Sequence, residues 1–276
     1  MKYHTVVVDR LNIGRDFPVR IMGVINLSPE SFYRGSVAEE LDEVGTLVRK
    51  LDEAGADLID VGGASSAPTN IYGTQQVTRD EELRRVSSTM DVICESTKKP
   101  ISIDTTSARI AAEALDLGAS LVNDISGLKS DPEMASLIAV RDVPVIIMAN
   151  CKAPCTSCDS VFEAIERSLQ AAASAGISSH QIIVDPGFGF GKPYDVDFEI
   201  LRNLDRFASF GHPVLVGLSR KAFIGSVLQQ PNPESRLAGT IAATSLAVAR
   251  GANVVRTHDV QEAATASIIG SAMRNW

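Results

Sequence analysis

Eight apolar runs in this chain each hand over to polar side chains that could do chemistry. IMGVIN ends at Asn26, and DLIDVGG runs into Ser65 and Ser66. ISID ends at Asp104, SLVND carries Asn123, VPVIIMAN passes through Met148, and IIVD ends at Asp185. PVLVGLSRK delivers Ser219, Arg220 and Lys221, and NVVRTHD delivers Arg256 and His258. An isolated buried charge is costly, so a carboxylate at the end of a buried strand needs a partner. Asp104 and Asp185 therefore either form ion pairs inside the protein or accept the N–H groups of a ligand. Lys221 fits both readings. It also allows a Schiff-base aldolase, with Arg220 beside it lowering its pKa. Arg256 and His258, together with Asn26, suit an anion or a departing charge.

Each run has the length of a strand, and helix-length segments lie between the runs. Eight parallel strands each followed by a helix close into an α/β, (β/α)8 barrel, whose active-site residues sit at the C-terminal ends of the strands. The residues from Asn26 to His258 then converge on one pocket. The helices are expected over 37–55, 79–97, 107–117, 132–140, 161–175, 196–207, 234–249 and 260–274. In the first, Leu41, Val44, Leu47, Val48 and Leu51 make an apolar stripe at helical spacing. Gly55, Gly118, Gly176 and Gly251 stand just past helix ends. Residues 3–18 predict a short N-terminal β-hairpin, with its turn around 12–14, plugging the bottom of the barrel. No linker divides the chain, so 1–276 reads as a single domain. The last two helices, RLAGTIAATSLAVARG and EAATASIIGSAMRNW, are short of charge. A helix apolar nearly all round is a buried one, which predicts a homodimer through them; the alternative is an Ala-rich helix left exposed.

The chain has 276 residues, 45% hydrophobic and 22% charged, enough for a full core. A net charge of −8 argues against nucleic acid as a partner. No apolar run reaches the roughly 18 residues that span a membrane, and no signal peptide is expected from the first residues. Four cysteines do not suggest a disulfide framework, so a cytoplasmic location is expected.

Taken in order, these motifs resemble the dihydropteroate synthase family, pterin-binding TIM barrels. MGVINLSPESF looks like its strand-1 signature, and DVGGASSAP is similar to its Gly-Gly-Glu-Ser-Thr-Arg-Pro loop. ISIDT, LVNDISGL, IIVDPGFGFGK, VGLSRKAFIG, GTIAATSLAVARGA and VVRTHDV follow in order. The resemblance implies that Asp104, Asn123, Asp185 and Lys221 bind the pterin, with Met148 beside them. It implies that Asn26, Arg256 and His258 hold the diphosphate of the pterin substrate, Asn26 together with Mg²⁺. Ser219 and Arg220 correspond to residues near the p-aminobenzoate site, which Ser65, Ser66 and Arg34 would border. The implied reaction displaces pyrophosphate from 6-hydroxymethyl-7,8-dihydropterin diphosphate by the aniline nitrogen of p-aminobenzoate.

The residue chemistry agrees. A buried carboxylate can accept two parallel N–H bonds from the pyrimidine edge of a pterin, as it does from arginine. Asn123 can donate and accept, and Lys221 would donate to the ring carbonyl. GFGFGK over 187–192 lacks the spacing of a phosphate loop and reads as a tight strand-to-helix turn.

Three loops depart from the family pattern. Ala64 and Ala67 replace its Glu and Arg after strand 2, Tyr33 and Arg34 replace Ser-Asp after strand 1, and Ala149 replaces a His after strand 5. Arg34 could return the missing positive charge, and the acceptor amine could differ from p-aminobenzoate. The strand-5 loop also carries Cys151, Cys155 and Cys158, whose spacing would allow a thiolate metal site, a redox-sensitive loop or incidental thiols. A second functional reading is a pterin-binding module that presents a methyl-pterin to a partner. The SRK and RTHD segments favour the synthase, since a methyl carrier has no need of a diphosphate site.

Overall fold

The computed structural model describes residues 3–28, 34–37, 40–65, 77–151 and 155–274. The apolar runs form strands buried on both faces, as a parallel sheet covered by helices requires. They are β3 (Arg20–Asn26), β4 (Leu58–Gly62), β5 (Ile101–Asp104), β6 (Leu121–Asp124), β7 (Val145–Met148), β8 (Ile182–Asp185), β9 (Leu215–Val216) and β10 (Val254–Thr257). The sheet runs β8-β7-β6-β5-β4-β3-β10-β9, all parallel. It closes where Val184 of β8 bridges Val214, with the Val184 N–H donating to Pro213 O at 2.9 Å. The result is the eight-stranded barrel expected from the sequence.

Period-two alternation gives each strand an outer and an inner face. Ile59, Val61, Ile103, Val122, Ile147 and Val184 belong to the core shared with the helices. Met22, Leu58, Leu121, Ile146, Ile183, Leu215 and Val254 form a separate apolar cluster inside the barrel. Two residues further along several of these strands, on the same inner face, stand Asp60, Asn123, Met148, Asp185 and Arg256. On β5 the corresponding pair is Ser102 and Asp104.

The inner apolar cluster is completed from below by Val6, Val8 and Ile13 of a hairpin, β1 (Val6–Val8) and β2 (Leu11–Ile13). The plug is as expected, but its turn is at Asp9 and Arg10 rather than at 12–14. Asp9 takes the left-handed conformation at φ 52°, which aspartate tolerates. Asn12 instead pairs with Val7.

The helices differ from expectation mainly at their ends. α1 (Leu41–Glu53) buries Val44, Val48 and Leu51, but Leu41 is 47% exposed. α2 (Arg79–Ser96) is capped by Thr78, which accepts from the Glu81 N–H. α3 (Ala108–Asp116) and α4 (Met134–Arg141) follow. α5 (Cys158–Ser174) begins earlier than expected because Ser157 and Ser160 form a reciprocal capping box. The expected 196–207 helix divides into α6 (Tyr194–Arg202) and a 3-10 segment, Leu204–Phe210. The two-turn α7 (Ala222–Leu228) was not anticipated, being too short to show a periodic stripe. α8 (Leu237–Ala249) and α9 (Val260–Ala272) pack closely: a Cβ on Gly270 would lie 2.5 Å from Ser245 O. Among the described residues no helix is long and apolar enough to cross a membrane.

Candidate active site

The inner polar residues meet at the C-terminal mouth of the barrel. Asp60 is fully buried, and its Oδ2 accepts from Arg256 Nε at 2.6 Å and from Asn123 Nδ2 at 3.1 Å. Its Oδ1 has no hydrogen-bond partner in the protein. Arg256 also donates through Nη2 to Asp104 Oδ2 at 3.0 Å. Burial would lower the pKa of Arg256, but Asp60 and Asp104 outweigh it and hold the guanidinium above its ordinary value. Asp60, Asp104, Asn123 and Arg256 thus form one network across four strands. Asp60 was missed in the sequence because it lies inside a run rather than at its end. Its place on the face of Leu58, two residues on, was the available signal.

On the opposite side stands Asp185, whose Oδ1 accepts from the Gly187 N–H at 2.7 Å. Burial pushes its carboxyl pKa up, against the pull of that N–H and of Lys221, Lys192 and Arg256. Met148 is its register partner on β7. A Cβ on Gly187 would lie 3.0 Å from the Met148 sulfur, so the turn after Asp185 can approach only as glycine, here at φ 73°. The lysine Nζ of Lys221 lies 4.2 Å from the centre of the Phe190 ring. Burial, then Arg256, pushes Lys221 down to about 8, while Asp185 and Asp197 oppose that fall.

Ser219 and His258 are partners: Ser219 Oγ lies 2.8 Å from His258 Nδ1 and accepts from the His258 N–H at 3.3 Å. A hydroxyl can donate once and accept twice, so Ser219 orients the ring in either neutral tautomer of His258. Burial, then Arg256, Lys221 and Arg220, pushes His258 down to about 3, so the ring is neutral at pH 7. Arg220 is turned the other way. Its Nε and Nη2 grip Asp259 at 2.9 and 2.7 Å, and Nη1 donates to the carbonyls of Pro233 and Glu234. It adopts φ 56°, and its own carbonyl accepts from Arg236. This knot shapes the loop that carries Ser219 and Lys221.

Asn26 donates through Nδ2 to Ser36 Oγ at 2.7 Å, which leaves its carbonyl as the side suited to a cation. Ser65, just past β4, is half-buried. Arg34 opens a 3-10 turn, Arg34–Ser36. Its side chain, like Ser66, Ala67 and Tyr33, lies outside the described residues. Cys151 and Cys155 form a disulfide, and Cys158 is a buried free thiol at the start of α5. The pairing consumes two of the three thiolates that a metal site would need. Among the described residues no group of His, Cys, Asp or Glu is placed to hold a metal ion. The bridge also departs from the reduced state expected of all four cysteines.

A barrel mouth that gathers three carboxylates, an amide, a lysine and an arginine can read a flat, N–H-rich heterocycle, and Arg256 adds positive charge for an anion. Known proteins agree with this chemistry. The pattern of the pterin binding enzyme family matches residues 22–258. The dihydropteroate synthase of Bacillus subtilis (strain 168) is 38% identical over 92% of this chain and 88% of its own length. A dihydropteroate synthase from Coxiella burnetii, solved with pteroic acid, is 35% identical over 99% of both chains, with a TM-score of 0.87. One from Xanthomonas albilineans, solved with 4-aminobenzoic acid, is 34% identical over 98% of both chains, with a TM-score of 0.86. The chain belongs to the dihydropteroate synthase family of pterin-binding transferases.

Proposed function

We propose that this chain joins 6-hydroxymethyl-7,8-dihydropterin diphosphate to p-aminobenzoate, or to a related arylamine, and releases pyrophosphate. The observation that carries the reading is the gathering of Asp104, Asn123, Asp185 and Lys221 on the inner face at one end of the barrel. Asp185 accepts two N–H bonds from the pyrimidine edge, Asn123 reads the neighbouring position, and Lys221 donates to the ring carbonyl. Met148 supports the ring from the β7 side. Asp60, by holding Arg256 Nε and Asn123 Nδ2, fixes the direction of both.

Arg256, His258 and Asn26 face the diphosphate. The aniline lone pair forms the new C–N bond at the pterin methylene as the C–O bond to diphosphate breaks. Pyrophosphate leaves with the bonding pair, and the surplus aniline proton passes to solvent. Positioning and stabilisation of the leaving group carry the rate. The donor set fits Mg²⁺, since one amide carbonyl on Asn26 plus substrate phosphate oxygens is the sparse coordination that magnesium favours. Bound there, Mg²⁺ supplies charge neutralisation for the diphosphate. On the acceptor side, Ser65, Ser66 and Arg34 border the amine. Ser219 acts through its bond to His258, and Arg220 acts through the loop it shapes.

The working form is a homodimer through α8 and α9. Large apolar side chains on both face outward: Leu246 of α8 is 55% and Ile268 of α9 71% exposed. The cytoplasm is the proposed compartment, because a diphosphate ester does not cross membranes and is used where it is made. Pyrophosphate release from the pterin diphosphate, assayed with a panel of anilines, tests the reading. Release that depends on the aniline supports it, and failure of every aniline to promote release overturns it.

A further inference from the structure

The glycine-rich segment after β8 has no role in the chemistry above, yet it is held by two buried charges. Asp197, in the first turn of α6, is fully buried, and its Oδ1 accepts from the Gly189 N–H at 3.0 Å. Its Oδ2 has no hydrogen-bond partner. A buried carboxylate oxygen left without a bond is costly, and such a group calls for an explanation. Lys192, also buried, donates through Nζ to Gly187 O. At its other end the turn is tied to the ligand-binding Asp185 through the Gly187 N–H.

What the turn presses against is Lys221. A Cβ on Gly189 would lie 2.7 Å from Lys221 Cδ, so the Gly189 backbone rests directly on the lysine stem. The next residue, Phe190, lays its ring beside the ammonium. The path runs from the Asp197 carboxylate through the Gly189 amide to the Lys221 methylenes, with no side chain between.

We propose that Asp197, balanced by Lys192, is a positioning residue that fixes the 187–191 turn against Lys221 and biases its ammonium toward the ligand. This inference rests on the pterin-binding role proposed for Lys221. Asparagine would keep the bond to Gly189, so the charge is the property that needs a reason. The charged groups facing Lys221 are Arg256 from β10, Asp185 from β8, Asp197 from α6 and Lys192 from the turn. Of these, Asp185 and Asp197 favour the charged lysine, while Arg256 and Lys192 disfavour it.

The test compares the pH profiles of kcat/KM in Asp197→Asn and Lys192→Gln, with pterin diphosphate and p-aminobenzoate as substrates. If protonated Lys221 binds the ring, activity falls as pH rises through its pKa. Removing the negative charge of Asp197 should move that alkaline limb down, by about half a pH unit or more. Removing the positive charge of Lys192 should move it up, and each variant retains a hydrogen-bonding group. A merely structural role would lower the melting temperature without moving the limb in opposite directions. Well above the limb, where a half-unit shift is felt in full, Asp197→Asn should also reduce kcat/KM about three-fold in the parent and hardly at all in a Lys221→Gln background. Unmoved limbs, shifts of the same sign, or equal losses in both backgrounds would overturn the proposal. Should Asp197→Asn fail to fold, the Lys192→Gln limb decides alone. Full activity in Lys221→Gln itself would instead remove the role of the lysine.

Discussion

The two ends of the barrel interior are built on the same strands and do opposite things. Leu58, Leu121, Ile146, Ile183 and Val254 close the bottom with the hairpin side chains. Two residues on, Asp60, Asn123, Met148, Asp185 and Arg256 line the mouth. Two residues of parallel strand rise about 6.6 Å. Over that distance the interior passes from a dry core to a network of charges. The lower layer holds the strands at a fixed radius. The upper layer can then afford buried ions, because their positions are set from below.

The sharpest way to break this comparison is within one strand. Asp60→Ala leaves the Arg256 guanidinium short of a carboxylate and should lower stability by about 3–5 kcal/mol. Leu58→Ala, two residues below, should cost about 3 kcal/mol through a cavity. Urea unfolding measures both. Pterin affinity separates them, since Asp60→Ala should weaken it strongly and Leu58→Ala hardly at all. Equal loss of affinity would erase the distinction between the layers.

Asp185→Asn sharpens it further. It turns one acceptor into a donor facing a donor and should weaken pterin binding by about 1–3 kcal/mol in calorimetry. Stability should change little, because burial already disfavours the carboxylate charge there. Unchanged affinity would remove Asp185 from the ligand site. Reducing the Cys151–Cys155 bridge, at the rim above both layers, should lower stability by at most about 2 kcal/mol, since the closed loop is short. Denaturation curves with and without reductant should differ by no more, and pterin affinity should be the same in both.

Near pH 6 the smallest effect is a shared response to acid. His212, near His4 at the bottom, is pushed down to about 4 by burial first, and His258 at the mouth to about 3. Below about pH 6.5 the unfolded chain takes up these protons while the folded protein refuses them. Stability is therefore complete above that pH and falls on acidification toward pH 4. Each histidine should contribute about 1 kcal/mol of loss by pH 6. Thermal unfolding across this range should show a shallower fall in His212→Asn, with the His258 share intact.

The strands were legible because both of their faces are buried, so apolar runs stand out without any three-dimensional knowledge. Strand-end residues were legible for the same reason, as polar breaks in those runs. Asp60 was not, because a charge inside a run reads as an interruption until its inner-face partners are known. The role of Arg220 depends on Asp259, Pro233 and Glu234, which no local spacing connects to it. The Cys151–Cys155 pairing was hidden because Cys151, Cys155 and Cys158 lie within one short loop, where spacing alone does not choose a pair. The split near Arg202 and the short α7 follow from tertiary packing rather than from helical period.

β9 has only two residues, and the barrel closes against β8 through a single bridge at Val214. A hoop of staves gives way at its thinnest one. Opening should begin at that seam and carry Lys221 outward, while Asp185 stays fastened to β7 through the Ala149 amide. Amide exchange at Val184, whose N–H donates across the seam, ahead of its neighbour Ile183 would register it. The two hands that grip one ring are thus mounted on either side of the seam, and the barrel can loosen one without dropping the other.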